Sequence, residues 1–165
     1  MPRHSPGNPE VEVEIRYSGI WKHDEVARYL CEQRVPLRLG CLTRSGAPLV
    51  VSLWFCHTDD ALWCATQADS SVAGYLANEP RCGFEIGNEA PPYAGVRGQG
   101  RAELLPTRGP EILEQLIERY VDEPDGRFAR WLRGRSEHEV AIRIVPSWIF
   151  SWDYASRMNA SPADA

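Results

Sequence analysis

Apolar positions along this chain follow two different rhythms. In residues 37–105 and 139–153 they alternate or run together in short blocks, as strands do, whereas in residues 109–133 they recur at helical spacing. Leu37–Thr43 and Leu49–Cys56 flank Arg44-Ser45-Gly46-Ala47-Pro48, a hairpin signal in which Gly46 is free to take positive φ. Asp59-Asp60 marks a turn into Ala61–Thr66, so these segments together predict an antiparallel meander. Val51, Leu53 and Phe55 fall on one face of the second strand and Val50, Trp54 and Cys56 on the other. Apolar residues on both faces predict a closed barrel with further elements packed outside it.

The rest of the chain divides at its prolines and glycines. Val11–Arg16 alternates as a short edge strand, and Asp24 is placed to cap a helix over Glu25–Arg34, which Pro36 stops. Ser70–Asn78 predicts a short helix with Val72, Tyr75 and Leu76 inward, ended by Pro80. Strands follow at Arg81–Ile86 and Tyr93–Leu105; Gly95, Gly98 and Gly100 in the second predict a bulge or a close backbone approach. Pro110 opens a helix to about Tyr120, with Glu111 and Glu114 matching its dipole and Ile112, Leu113, Leu116, Ile117 and Tyr120 on one stripe. Arg127–Arg133 predicts another helix, with Phe128, Trp131 and Leu132 inward and Gly134 as its stop. Val140, Ile142 and Ile144 alternate along a late strand, and Trp148, Phe150 and Trp152 alternate again after Pro146. The fold class is therefore mainly β with α (α+β). Residues 1–10 read as a mobile tail, 11–158 as a single domain and 159–165 as a frayed end.

Composition narrows the function classes. Hydrophobic residues make up 43% and charged residues 25%, as in an ordinary globular chain. A net charge of −5 argues against a nucleic-acid partner. The five cysteines are odd in number and scattered without a CxxC pair, which predicts reduced thiols in a cytoplasmic protein, not a disulfide frame or a metal site. No apolar leader and no membrane-length apolar run is seen, so no membrane partner is expected. Six tryptophans fit core packing, stacking on a planar ring, or a dimer interface.

Several catalytic signatures are absent. Gly95-x-x-Gly98-x-Gly100 has the dinucleotide fingerprint reversed and precedes strand-like sequence. There is no GxSxG or HExxH, and His4, His23, His57 and His138 lack ligand spacing. Thr66–Ser71 says more: Thr66, Ser70 and Ser71 place hydroxyls where a strand gives way to a helix, and free N–H groups at a helix start attract phosphate. An ordinary N-cap by Asp69 or Ser70 is the alternative.

The phrases LGCLTRSGAPLVVSLWF, LWCATQADSSVAGYLANEPRCGFEI, PPYAGVRGQGRAEL and EVAIRIVPSWIFSWDYASRM, in that order, give residues 25–158 a family likeness. They resemble the pyridoxamine 5′-phosphate oxidase-like split-barrel flavoproteins, a superfamily that includes deazaflavin-dependent reductases. The resemblance implies a six-stranded antiparallel split β-barrel with flanking helices, forming a homodimer with cofactor sites at its interface. The implied cofactor is FMN, or coenzyme F-420 in some branches. By position, Val51, Ser52 and Leu53 would line the isoalloxazine, while Thr66, Gln67, Ser70, Ser71 and Val72 would hold the ribityl phosphate end. Gln99 would reach the ring edge, and Trp152 and Arg157 would come from the partner chain. Many members carry a basic pair at the start of the short helix; here Ser71-Val72 stands in its place, leaving Arg97 or Arg101 as the candidate cations. The RxVLLK-like phrase of pyridoxamine phosphate oxidases themselves is missing, so that activity is not assigned.

No side chain stands out as acid, base or nucleophile, which suits chemistry carried by a flavin ring. Trp54, Trp63 and Trp152 are candidates to shape a substrate pocket. The leading expectation is an FMN-binding oxidoreductase that passes hydride or electrons to a small planar or carbonyl-bearing substrate. A coenzyme F-420-dependent reductase and a non-catalytic cofactor-binding protein are the alternatives.

Overall fold

The computed structural model describes residues 14–159. The expected tail at 1–10, nearly all of that at 159–165, and the first half of the Val11–Arg16 strand lie outside these residues. The strands are β1 (Arg16–Gly19), β2 (Leu37–Leu42), β3 (Pro48–Leu53), β4 (Cys56–Thr58), β5 (Ala61–Gln67), β6 (Arg81–Gly87), β7 (Ala94–Leu105) and β8 (Glu139–Asp153). The helices are α1 (His23–Glu32), α2 (Ser71–Asn78), α3 (Gly109–Tyr120), α4 (Arg127–Arg133) and α5 (Ala155–Asn159).

One eight-stranded sheet runs in the order β3-β2-β6-β7-β8-β5-β4, with β1 parallel to the far half of β8. The path has two free ends, β3 and β4, and these are consecutive in the chain, separated by Trp54 and Phe55. The barrel is therefore split, with the chain itself crossing the gap. The strand count exceeds the expected six because β1 and β4 are short additions to the frame. The expected meander is corrected: β3 pairs with β2 only, and β5 pairs with β4 and β8. The reason is the bend at Trp54–Phe55. Phe55 is fully buried, and its N–H donates to Tyr120 Oη at 3.4 Å, which ends β3 before Cys56.

Burial on both faces belongs to β5, not β3. Leu62 and Cys64 enter the main core, while Ala61 and Trp63 pack on Ile112 and Leu116 of α3. β3 is a free edge whose Val50 is 67% exposed. The main core joins Val26 and Leu30 of α1, Leu37 and Leu39, Phe84 and Ile86, Val96, Ile142 and Ile144.

The glycines of β7 mark close approaches, as expected. A Cβ on Gly98 would lie 2.4 Å from the Trp148 carbonyl, and one on Gly100 2.4 Å from that of Val145. The register shifts between Gln99 and Gly100: Gly100 pairs with Pro146 and Gln99 with Trp148, so Ser147 is the extra residue. One added residue exchanges the faces of a strand. Before it Ile142 and Ile144 point to the core; after it Ile149 and Ser151 do, and Trp148, Phe150 and Trp152 turn outward, half-buried.

Two local expectations change. α1 begins at His23, not Glu25, because Glu25 caps it from within by accepting the Lys22 N–H at 2.9 Å. In α4, Phe128 and Trp131 are 52% and 54% exposed; Ala129 fills the core position instead. No helix among the described residues is long and apolar enough to cross a membrane.

Candidate functional site

The split in the barrel opens into a cavity of about 320 Å³. Ser52, Leu53 and Trp54, at the end of β3, form one side, and Ala65, Thr66 and Gln67, at the end of β5, form another. Leu113 and Leu116 of α3 make an apolar floor. Trp131 and Leu132 of α4, with Arg135 and Glu139 beyond it, complete the wall.

Local contacts fix each part. Tyr120 accepts the Phe55 N–H, donates to the Val35 carbonyl at 3.3 Å, and stacks on Trp54 with ring centres 5.1 Å apart and planes 1° apart. Phe128 meets Trp54 edge-on at 6.3 Å and stacks on Trp131 at 6.0 Å, and the Arg135 guanidinium lies 4.7 Å above Trp131. An aromatic chain thus rims the cavity. α4 is held to α3 by a two-pronged ion pair between Arg133 and Glu114, whose Nε–Oε2 arm is 2.8 Å. The Gln67 amide donates to the Glu139 carboxyl, in the ladder where these two residues pair directly. Burial raises the Glu139 pKa above the ordinary value; the Gln67 hydrogen bond and the nearby Arg135 charge pull it partly back.

A second hollow adjoins the first at the start of α2, lined by Arg44, Ala68, Asp69, Ser70, Ser71, Gly74 and Tyr75. Thr66 belongs to one hollow and Ser70 to the other, and the Thr66 hydroxyl donates to the Ser70 hydroxyl at 3.2 Å. Ser70 also caps α2, accepting the Ala73 N–H at 3.3 Å. The ordinary N-cap reading therefore holds for Ser70. It leaves the first N–H groups of α2, on Ser71 and Val72, without an intrahelical acceptor.

The structure brings together Ser52, Leu53, Thr66 and Gln67 in the cavity, and Ser70 and Ser71 in the adjoining hollow. Val51 packs with Leu49 and Leu53 against the main core, and Val72 is buried in it, so neither lines a hollow. Gln99, Trp152 and Arg157 lie elsewhere: Gln99 is exposed on β7, Trp152 is half-buried late in β8, and Arg157 is exposed on α5. Of the tryptophans, Trp54 lines the cavity, whereas Trp63 is buried against α3. Sequence reading missed Trp131, Arg135, Glu139 and Arg44. Arg44 sits in the β2–β3 turn, and only the fold carries that turn to the start of α2. The expected cations are placed otherwise: Arg97 lies over Phe150 at 4.8 Å, and Arg101 pairs across the ladder with Arg81.

Among solved structures, a conserved hypothetical protein from Mycobacterium tuberculosis matches with 23% identity and a TM-score of 0.72, covering 92% of this chain and 99% of its own. An F-420 reductase matches with 19% identity and a TM-score of 0.60, covering 74% and 94%. An FAD-binding protein from Mesorhizobium loti matches with 22% identity and a TM-score of 0.58, covering 79% and 93%. At these identities the likeness is one of fold. No curated protein matches the chain in sequence. Residues 23–153, from the first turn of α1 to the end of β8, match the family described as pyridoxamine 5′-phosphate oxidase, and the chain belongs to that family.

Proposed function

We propose that the chain is an oxidoreductase that binds FMN across the two adjoining hollows and acts on a small planar or carbonyl-bearing molecule. The observation that carries this reading is the Thr66–Ser70 hydroxyl pair at 3.2 Å, which links a cavity of about 320 Å³ to a hollow at a helix start. A cavity of this size, apolar on one side and polar on the other, suits a planar ring. Ser52, Leu53, Thr66 and Gln67 would hold the ring, backed by Val51. Ser70, Ser71 and the Arg44 guanidinium would hold the phosphate, with Val72 anchoring the helix in the core behind them. When bound, the flavin supplies hydride or electron transfer. The chain's own part is to orient it and to exclude water with Leu113, Leu116 and Trp131.

Gln99, Trp152 and Arg157 lie away from the cavity lining, so their expected role requires a second copy. In a homodimer, the outward face of β7 and β8, with Gln99, Phe150 and Trp152, would close the partner's cavity. Five free thiols suit a cytoplasmic location.

Coenzyme F-420 is the second reading. It is favoured by Ser71-Val72 at the start of α2, where no basic pair stands ready for the FMN phosphate. One experiment separates the readings: absorbance and fluorescence of the purified protein, before and after titration with FMN and then F-420. Perturbed flavin bands support the first reading, a response to F-420 alone the second. Failure of both cofactors refutes the oxidoreductase and leaves a protein without this chemistry. Sedimentation showing a monomer at micromolar concentration would refute the shared site.

A further inference from the structure

We propose that Glu139 is the proton donor of the cavity, held in place by Gln67, for a reaction in which hydride reaches one atom of a polarised double bond and a proton the other. This rests on the oxidoreductase reading above. Three features of the structure support it. Glu139 is an ionisable wall residue that shares the cavity with Thr66 and Gln67. Its carboxyl accepts the Gln67 amide N–H at one oxygen, so the other oxygen is the one that would carry the proton when the group is protonated. Burial is the largest influence on its carboxyl and pushes its pKa up, against the smaller opposing effects of the Gln67 hydrogen bond and the Arg135 charge.

The charged surroundings are simple. Arg135, four residues earlier, is the positive group that opposes this shift. β5 faces Glu139 with the neutral Gln67, and α3 faces the cavity beside it with Leu113 and Leu116. Glu137 and His138, which precede it, are exposed. The raised pKa extends to higher pH the range over which this carboxyl keeps a proton to donate, compared with an ordinary glutamate.

The step balances as follows. A bound reduced flavin or deazaflavin would supply the hydride, which would form a C–H bond at the electron-poor atom of the substrate double bond. The π bond breaks, and its electron pair takes the Glu139 proton. The substrate would gain one hydride, which carries both electrons, and one proton; the cofactor would be oxidised by two electrons, and Glu139 would be left as a carboxylate. Solvent returns its proton through the mouth of the cavity, where Arg135 and Trp131 are exposed.

The test uses E139Q, which keeps an acceptor for the Gln67 amide and removes the acid, together with E139D. Carbon-13 NMR of glutamate-labelled protein should show one carboxyl titrating above the ordinary glutamate range, absent in E139Q. Single-turnover oxidation of the reduced, cofactor-loaded protein by 2-cyclohexen-1-one should slow about 100-fold in E139Q and recover in part in E139D. Cofactor affinity, followed by fluorescence, should change less than threefold, about 0.7 kcal/mol. An ordinary Glu139 titration, or E139Q turnover within twofold of wild type, overturns the proposal. So does a loaded wild-type protein that reduces neither enones nor quinones. A wild-type protein that binds no cofactor overturns the oxidoreductase reading itself, so the two failures are distinguishable.

Discussion

Replacing Arg119 by Met should cost more stability than any other single exposed-to-half-buried charge in this fold. Arg119 lies in the last turn of α3, yet its guanidinium serves the end of α1. It donates to the carbonyls of Leu30 at 2.9 Å and Cys31 at 2.8 Å, and to that of Gln33. α1 has no basic residue in its own last turn, so these carbonyls and the negative end of its dipole depend on a residue 86–89 positions away. The guanidinium also lies 5.3 Å over the Phe55 ring, at the bend that ends β3. A hydrogen bond to a charged group contributes about 1.5–3 kcal/mol. The Cys31 side is exposed and can recover water, so the three bonds do not sum. We expect R119M to lose about 3 kcal/mol, and hence roughly 6–12 °C in Tm for a domain of this size. R119K, with a single point charge in place of a fork, should recover less than half. Urea unfolding followed by tryptophan fluorescence and by circular dichroism gives both values. R119M within about 0.5 kcal/mol of wild type would refute the view that this guanidinium fastens α1 to α3.

Arg44→Ala should weaken FMN binding about fivefold, as suits an exposed charge pair, while leaving riboflavin, which lacks the phosphate, unchanged. Equal losses for both ligands would remove Arg44 from the phosphate end. A thiol-exchange reagent should find one fast thiol in the native protein, Cys31, which is exposed. Cys41, Cys64 and Cys82 are buried, and burial pushes the Cys82 thiol up to about 12. Rapid labelling that persists in C31S would contradict this. The His23 ring bonds Asp24 at 2.7 Å and Asp60 at 2.9 Å, which raises its pKa. With a raised folded pKa, the associated stability is present below the unfolded value and lost as pH rises through the folded one. D60N should lower the imidazole titration read by proton NMR, and an unchanged curve would exclude the bridge.

Much of the frame was legible because it depends on short-range signals. The β2–β3 hairpin, α2, the long β7 and both α3 and α4 follow from turn residues, prolines and apolar spacing. What escaped was decided by contacts far apart in sequence. β3 stops at Leu53 because Tyr120, 65 residues later, takes the Phe55 N–H; nothing in VVSLWFC announces a break. In the same way Pro146 suggests an interruption of β8, but the partner glycine at position 100 lets the strand continue with one extra residue and a change of face.

The cavity divides along the same line. Ser52, Leu53, Thr66 and Gln67 could be named from sequence because they sit at the ends of strands whose order the family likeness supplies. The opposite wall could not. Phe128, Trp131 and Leu132 have the spacing of a buried stripe, but α4 is only two turns long and carries Ala129 among them. The small residue lets α4 approach α3, and the Arg133–Glu114 pair sets its rotation. Large rings cannot occupy so close a contact, so Phe128 and Trp131 are turned out to the rim. The exposed aromatics are therefore a consequence of tight helix packing beneath them. That packing also directs Trp131 toward the cavity and puts the segment that carries Arg135 and Glu139 at its edge.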